Sequence, residues 1–279
     1  MHTMQTENLR AFKRTVWAYY KKHKRDLPWR KKTVTPYRIL VSEVMLQQTQ
    51  VDRVVPKYRQ FIKQFPTFRA LADAPLSLIL IHWQGLGYNR RAKLLKQAAE
   101  TVVREYDGAL LRDEHERMKL PGIGAYSASA IGAFAFNEPV VFIETNIRTV
   151  FLHHFFPRRR NVPDKALLLL IEKTLDRKNP REWYAALMDY GAMLKRTGEN
   201  PSRRSAHHTR QSRFEGSTRQ VRGAIIRMLC VEGTATEAAL VKKLKTERER
   251  VYVELQKLVK EGLIIKRGKW YALDGTVVH

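Results

Sequence analysis

Cysteine is nearly absent: Cys230 is the only one in 279 residues. A single thiol excludes an internal disulfide and any all-cysteine metal site within one chain. Long apolar stretches are missing too. No run of about 18 apolar residues occurs, and the N-terminus has no apolar segment of signal-peptide type, so a soluble protein kept inside the cell is expected. Acidic residues are scarce: 27 Asp+Glu stand against 52 Lys+Arg, a formal charge of +25. That excess is beyond what solubility requires and points to a polyanionic partner, with nucleic acid ahead of an anionic membrane surface.

What is present reads as helix. Apolar residues recur at three-to-four spacing in "LSLILIHWQGLGY" and "RAKLLKQAAETVVREY", broken by Pro and Gly, so many short helices and little strand are expected up to about residue 200. The following stretch, "KRTGENPSRRSAHHTRQSRFEGS", is polar, basic and almost free of aliphatics, and reads as a connector or a segment ordered by its partner. Periodicity returns in three helical patterns, 217–231, 235–243 and 246–260. "GLIIKRGKWYAL" then alternates around Arg267-Gly268 as a β-hairpin does, so the C-terminal part resembles a winged helix. A large helical domain followed by a small α+β one suits the length.

Three motifs carry chemistry. In "TPYRILVSEVMLQQTQ", Thr35 can cap a helix with Pro36 at its first position, running to about Gln48 and placing Glu43 on an apolar face with Ile39, Leu40, Leu46 and Gln47. Desolvation there favours a protonated carboxyl, as a general acid needs; a satisfied structural glutamate is the alternative. In "MKLPGIGAYSASAIGAFAF", Gly122 and Gly124 make a tight turn between helices and leave backbone N–H groups free to face a phosphate, unless the turn is an ordinary connector. In "FIETNIRT", Glu144 lies between an apolar run and a helix start, where the macrodipole alone favours a carboxylate.

"LPWR", "SEVMLQQTQV", "GLGY", "LPGIGAYSASAI", "FIETNIRTV" and "MDYGAM" together resemble the helix-hairpin-helix DNA glycosylases of the endonuclease III superfamily, most of all the MutY-type adenine glycosylases, over roughly residues 8 to 200. The resemblance implies a mainly α fold with the active site between two helical subdomains. Taken with the C-terminal pattern, which departs from that family, it divides the chain into a glycosylase domain (1–194), a basic linker in place of an iron–sulfur cluster loop (195–216) and a winged-helix-like DNA-binding domain (217–279). It implies a monofunctional enzyme, acting as a monomer on double-stranded DNA, that flips and removes adenine mispaired with 8-oxoguanine or guanine. The location would be cytoplasmic, on the nucleoid in a prokaryote.

By the same resemblance Glu43 protonates the purine and Glu144, where the family carries aspartate, stabilises the cationic sugar. Asn146 orients the reacting centre. Tyr126 replaces the lysine nucleophile of strand-cleaving members; core packing is its alternative role. Arg25, Trp29, Leu46 and Asp189 would form the base pocket. Gln48, Leu86 and Tyr88 would meet the DNA, with Tyr88 as an exposed wedge or else a core residue. Gly122 and Gly124 of the hairpin, and by their charge Arg203, Arg204, Lys266 and Arg267, are expected as further DNA contacts. The four cluster cysteines of most relatives map to Lys195, Ser202, Ser205 and Gln211, so no iron–sulfur cluster or other metal is expected, although a monovalent cation at the hairpin is left open. Longer relatives end in a Nudix-like domain that inspects 8-oxoguanine; here the C-terminal domain is expected to add non-specific grip. A glycosylase for another damaged or deaminated base, or a non-catalytic DNA-binding regulator, remains as the alternative.

Overall fold

The computed structural model describes residues 2–198, 200–209 and 213–275. The helices in chain order are α1 (His2–His23), α2 (Pro36–Leu46), α3 (Val51–Gln64), α4 (Phe68–Asp73), α5 (Leu76–Trp83), α6 (Arg90–Glu105), α7 (Glu114–Lys119), α8 (Ala125–Phe136), α9 (Thr145–Phe155), α10 (Asp164–Thr174) and α11 (Pro180–Leu194). Short 3-10 helices cover Pro28–Arg30 and Pro201–Arg204. The C-terminal part contains α12 (Thr218–Glu232), β1 (Thr234–Thr236), α13 (Glu237–Leu244), α14 (Arg248–Lys260), β2 (Ile264–Arg267) and β3 (Trp270–Leu273). Among the described residues no helix is long and apolar enough to cross a membrane.

Contacts divide the chain into two compact units. One unit comprises Met1–Ile39, Arg112–His115 and Ile123–Arg210; the other comprises Leu40–Leu111, Glu116–Gly122 and Gln211–His279. In the first, Phe12, Val16 and Tyr20 of α1 recur at helical spacing and meet Ile147, Val150 and Phe151 of α9 and Trp183 and Leu187 of α11. Burial of such aromatic and branched side chains, each contributing about 1.5–3 kcal/mol, is what holds short helices that would be marginal alone. Residues 200–209 join this unit through hydrogen bonds. Val162 donates to the Arg204 carbonyl at 3.0 Å, and Ala206 donates to the Val162 carbonyl at 3.0 Å.

In the second unit α3 buries Val54, Tyr58, Phe61 and Ile62, and α6 buries Ala92, Leu95, Ala98, Ala99 and Val102. The core of the C-terminal part is built from Val221, Ile225 and Leu229 of α12, Leu240 of α13, Val251, Leu255 and Leu258 of α14, and Ile264, Tyr271 and Leu273 of the sheet. That sheet has three antiparallel strands in the order β1-β3-β2, with Ala235 opposite Tyr271 and Ile265 opposite Ala272. Beta1 is a strand the alternation did not predict, because three residues, "TAT", are too short to show a period. The C-terminal part is pinned to the rest of its unit: Gln84 Nε2 donates to Cys230 Sγ at 3.2 Å and Lys93 Nζ to the Glu261 carbonyl at 2.7 Å.

Candidate active site

Glu144 opens α9. The preceding Val140–Ile143 segment is irregular; Phe142 is buried and the Tyr184 hydroxyl donates to the Val140 carbonyl at 2.7 Å, which fixes where the chain turns into helix. Glu144 has extended backbone (φ −126°, ψ 176°) and is the N-cap. Its Oε1 accepts from the N–H groups of Asn146 at 2.7 Å and Ile147 at 2.9 Å, so the carboxylate occupies the positive end of the helix. The extra methylene relative to aspartate is taken up by this curl.

Asn146 bridges two charges. Its Nδ2 donates to Glu144 Oε2 at 3.3 Å and its Oδ1 accepts from Lys195 Nζ at 2.8 Å. An ammonium only donates, so Lys195 fixes the amide with its oxygen outward and its nitrogen on the acid. Burial lowers the Lys195 pKa; the Glu144 carboxylate opposes that shift and Arg148 adds to it. Gly191 of "MDYGAM" has a steric reason: a Cβ there would lie 2.3 Å from the Asn146 carbonyl oxygen. Tyr126, in the first turn of α8, is 39% exposed with its ring edge-on to Phe142 at 5.9 Å, which excludes a purely core-packing role.

The base-pocket residues divide. Trp29 is buried in the 3-10 turn. Asp189 is 2% exposed and fully engaged: Arg30 grips it with two hydrogen bonds of 2.7 and 2.9 Å, and Arg25 adds its Nε at 2.5 Å and its backbone N–H at 3.1 Å. Asp189, expected in the base pocket, spends its acceptors on these two arginines. Its oxygens are occupied, and it positions Arg25 and Arg30. Burial pushes its pKa up, yet the two arginines hold it below the usual carboxylate range. Arg30 was not anticipated, though it is the arginine of "LPWR".

Within the other unit, Glu43 is 9% exposed on α2 between Leu40, Val44 and Met45, all buried. Thr35 Oγ1 accepts from the Arg38 N–H at 3.4 Å at the start of this helix, as expected. The helix stops at Leu46, two residues before the expected end, because Arg91 takes the exposed carbonyls. Its Nη1 donates to Val44, Met45 and Gln47 at 2.7, 3.0 and 2.6 Å; Nη2 donates to the Thr49 hydroxyl at 3.0 Å and to Leu86 and Gly87 at 3.3 and 3.2 Å. Burial lowers the Arg91 pKa to about 10, which still leaves it charged at neutral pH. Sequence reasoning missed this clamp. Leu46 is half-buried at the helix end, and Gln48 is exposed at φ 55°.

Three DNA-contact candidates are engaged within the protein. Leu86 is 2% exposed, hence core. Tyr88 is half-buried, and its hydroxyl accepts from Arg219 Nη1 at 2.7 Å. Arg204 is likewise committed, donating to the carbonyls of Pro157 at 2.7 Å and Leu152 at 3.3 Å at the end of α9. Arg203, Lys266 and Arg267 are exposed. In the hairpin Gly122 needs its φ of 80° and the absence of a Cβ, which would lie 2.9 Å from Leu94 Cβ, while Gly124 is the N-cap of α8.

Residues 41–174 match the HhH-GPD superfamily of base excision DNA repair proteins. The adenine DNA glycosylase of Mycolicibacterium smegmatis is 37% identical over 232 residues, 76% of this chain and 78% of that protein. The chain belongs to the adenine DNA glycosylase family. The Mycobacterium tuberculosis member is 32% identical over 273 residues, 89% of this chain and 88% of its own. Among solved structures a thermostable thymine-DNA glycosylase superposes with a TM-score of 0.63 at 27% identity, covering 71% of this chain and 92% of that one.

An iron–sulfur cluster does not fit the residues at its expected positions in this family member. Lys195 offers a cationic donor engaged with Asn146; Ser202 and Ser205 are buried hydroxyl residues, and the Ser205 Oγ accepts from the His207 N–H at 3.0 Å. Gln211 lies outside the described residues. None can supply a thiolate.

Proposed function

We propose that the chain removes adenine from DNA opposite 8-oxoguanine or guanine by hydrolysis of the N-glycosidic bond, without an iron–sulfur cluster. It is a base excision repair glycosylase acting on adenine. Double-stranded DNA carrying the mispair is its partner, which the charge of +25 suits. The observation that carries the reading is Glu43, a 9% exposed carboxylate among the buried Leu40, Val44 and Met45 of its helix. Protonated, it donates to adenine N7 and makes the base a better leaving group. Glu144, held at the positive end of α9, stabilises the oxocarbenium-like sugar as the bond breaks, and Asn146, fixed by Lys195, keeps that carboxylate in place. Water then adds to the sugar, leaving adenine and an abasic site. Tyr126 has no amine with which to form a Schiff base, so the strand stays intact.

Glutamate at 144, where the family carries aspartate, favours as a second reading a glycosylase for a different damaged base. Duplexes each carrying one defined lesion, scored for abasic sites with and without alkali, separate the two. Alkali-dependent cleavage at adenine opposite 8-oxoguanine is expected. Cleavage only at another lesion would replace the adenine assignment.

A further inference from the structure

The contact between Tyr88 and Arg219 joins the GLGY loop to the C-terminal domain. The loop is tightly set: Trp83 Nε1 donates to the Gly87 carbonyl at 3.1 Å, and Tyr88 itself sits at φ 48°, a costly left-handed conformation for an aromatic residue. Arg91 holds the Leu86 and Gly87 carbonyls, and its guanidinium lies 5.6 Å from the Tyr88 ring centroid. Arg219, in the first turn of α12, bonds the Tyr88 hydroxyl at 2.7 Å with its guanidinium 5.7 Å from the same ring. Gln48, Tyr88, Arg90, Arg219 and Arg222 line one cleft of about 380 Å³. Gln48 and Tyr88, both expected to meet the DNA, thus share a cleft with the C-terminal domain.

We propose that Arg219 is a positioning residue for Tyr88, and that through it the winged-helix-like domain takes part in reading the base opposite the adenine. This rests on the proposed function. A side chain already oriented before DNA binds loses less rotamer freedom when it enters a base stack, so a preset wedge inserts at lower cost. The hydroxyl bond holds the far end of the ring, while the Arg91 and Arg219 guanidinium groups lie 5.6 and 5.7 Å from its centroid. A mispair that stacks differently against Tyr88 is then discriminated by an element more than a hundred residues away in the chain. General phosphate grip falls instead to exposed groups such as Lys266 and Arg267.

The test uses the full chain with Arg219→Gln, Arg219→Lys, Tyr88→Phe and the Arg219→Gln/Tyr88→Phe pair, each checked for an unchanged thermal midpoint. Single-turnover adenine release is compared opposite 8-oxoguanine and opposite guanine, and a fluorescent purine analogue beside the partner base reports unstacking. Loss of a charge-assisted hydrogen bond should lower the preference for 8-oxoguanine about tenfold in Arg219→Gln and in Tyr88→Phe. The double variant should be no worse than either single one, and Arg219→Lys, which can still donate, should recover part of the preference and of the fluorescence rise. Wild-type preference and fluorescence in Arg219→Gln, or losses that simply add in the double variant, would overturn the proposal. If the wild-type chain releases no adenine at all, the proposed function fails, and the fluorescence comparison still decides on Arg219.

Discussion

Replacing Glu144 by glutamine removes the charge at the start of α9 and little else. Glutamine retains an oxygen that can accept from the Asn146 and Ile147 N–H groups, which the carboxylate now binds at 2.7 and 2.9 Å. The stability cost is therefore the difference between a charged and a neutral cap, about 0.5–1 kcal/mol. Activity should fall far more, by about 10²–10³, the usual consequence of removing a preorganised group aimed at developing charge. Glu144→Asp is the sharper companion. Aspartate is a preferred N-cap and reaches the same two N–H groups, so the charge stays at the helix end; release should remain within about tenfold of wild type. Single-turnover release from an adenine–8-oxoguanine duplex, with thermal unfolding of each variant in parallel, measures both quantities. Full activity in Glu144→Gln would refute the reasoning and leave the residue as a cap only.

Further consequences follow from the same unit. Asp189→Asn leaves Arg25 and Arg30 without their shared counter-charge and should destabilise by about 3 kcal/mol in urea unfolding. Because the Asp189 pKa is depressed on folding, its contribution is complete above the unfolded carboxyl pKa and is lost as pH falls through the lower folded value. Gly191→Ala forces a methyl against the Asn146 carbonyl and should cost at least about 2 kcal/mol, read as a lowered thermal midpoint; a neutral result would contradict the packing of α11 on α9. His154 is half-buried beside the Tyr190 hydroxyl at 3.1 Å, and burial lowers its pKa from 6.5 to about 4. The unfolded chain binds that proton first, so stability should fall by about 1–2 kcal/mol between pH 6.5 and 4, and His154→Phe should flatten the slope.

Local patterning carried much of the fold. The Thr35-Pro36 helix start and the three C-terminal helices lie within two residues of where periodicity placed them, since capping and amphipathic spacing act over a few residues. Long-range partners were not legible in that way. Asp189 reads as an acid in a motif, and only the fold shows Arg25 and Arg30 closing on it across more than 150 residues. Leu86 and Tyr88 are neighbours in one loop, yet one is core and the other meets Arg219, 131 residues away. Lys195 was noticed for the cysteine it is not; its bond to Asn146 gives it a positive role.

The proposed role of Glu43, as the acid that releases adenine, is open to one direct measurement. Wild-type chain and Glu43→Gln are each mixed in excess with a duplex bearing one adenine opposite 8-oxoguanine, and abasic sites are revealed by alkali over time. The wild type should release adenine without cleaving the strand before alkali, and Glu43→Gln should bind the duplex but release the base at least about 10²-fold more slowly. Release by Glu43→Gln at the wild-type rate would contradict the mechanism.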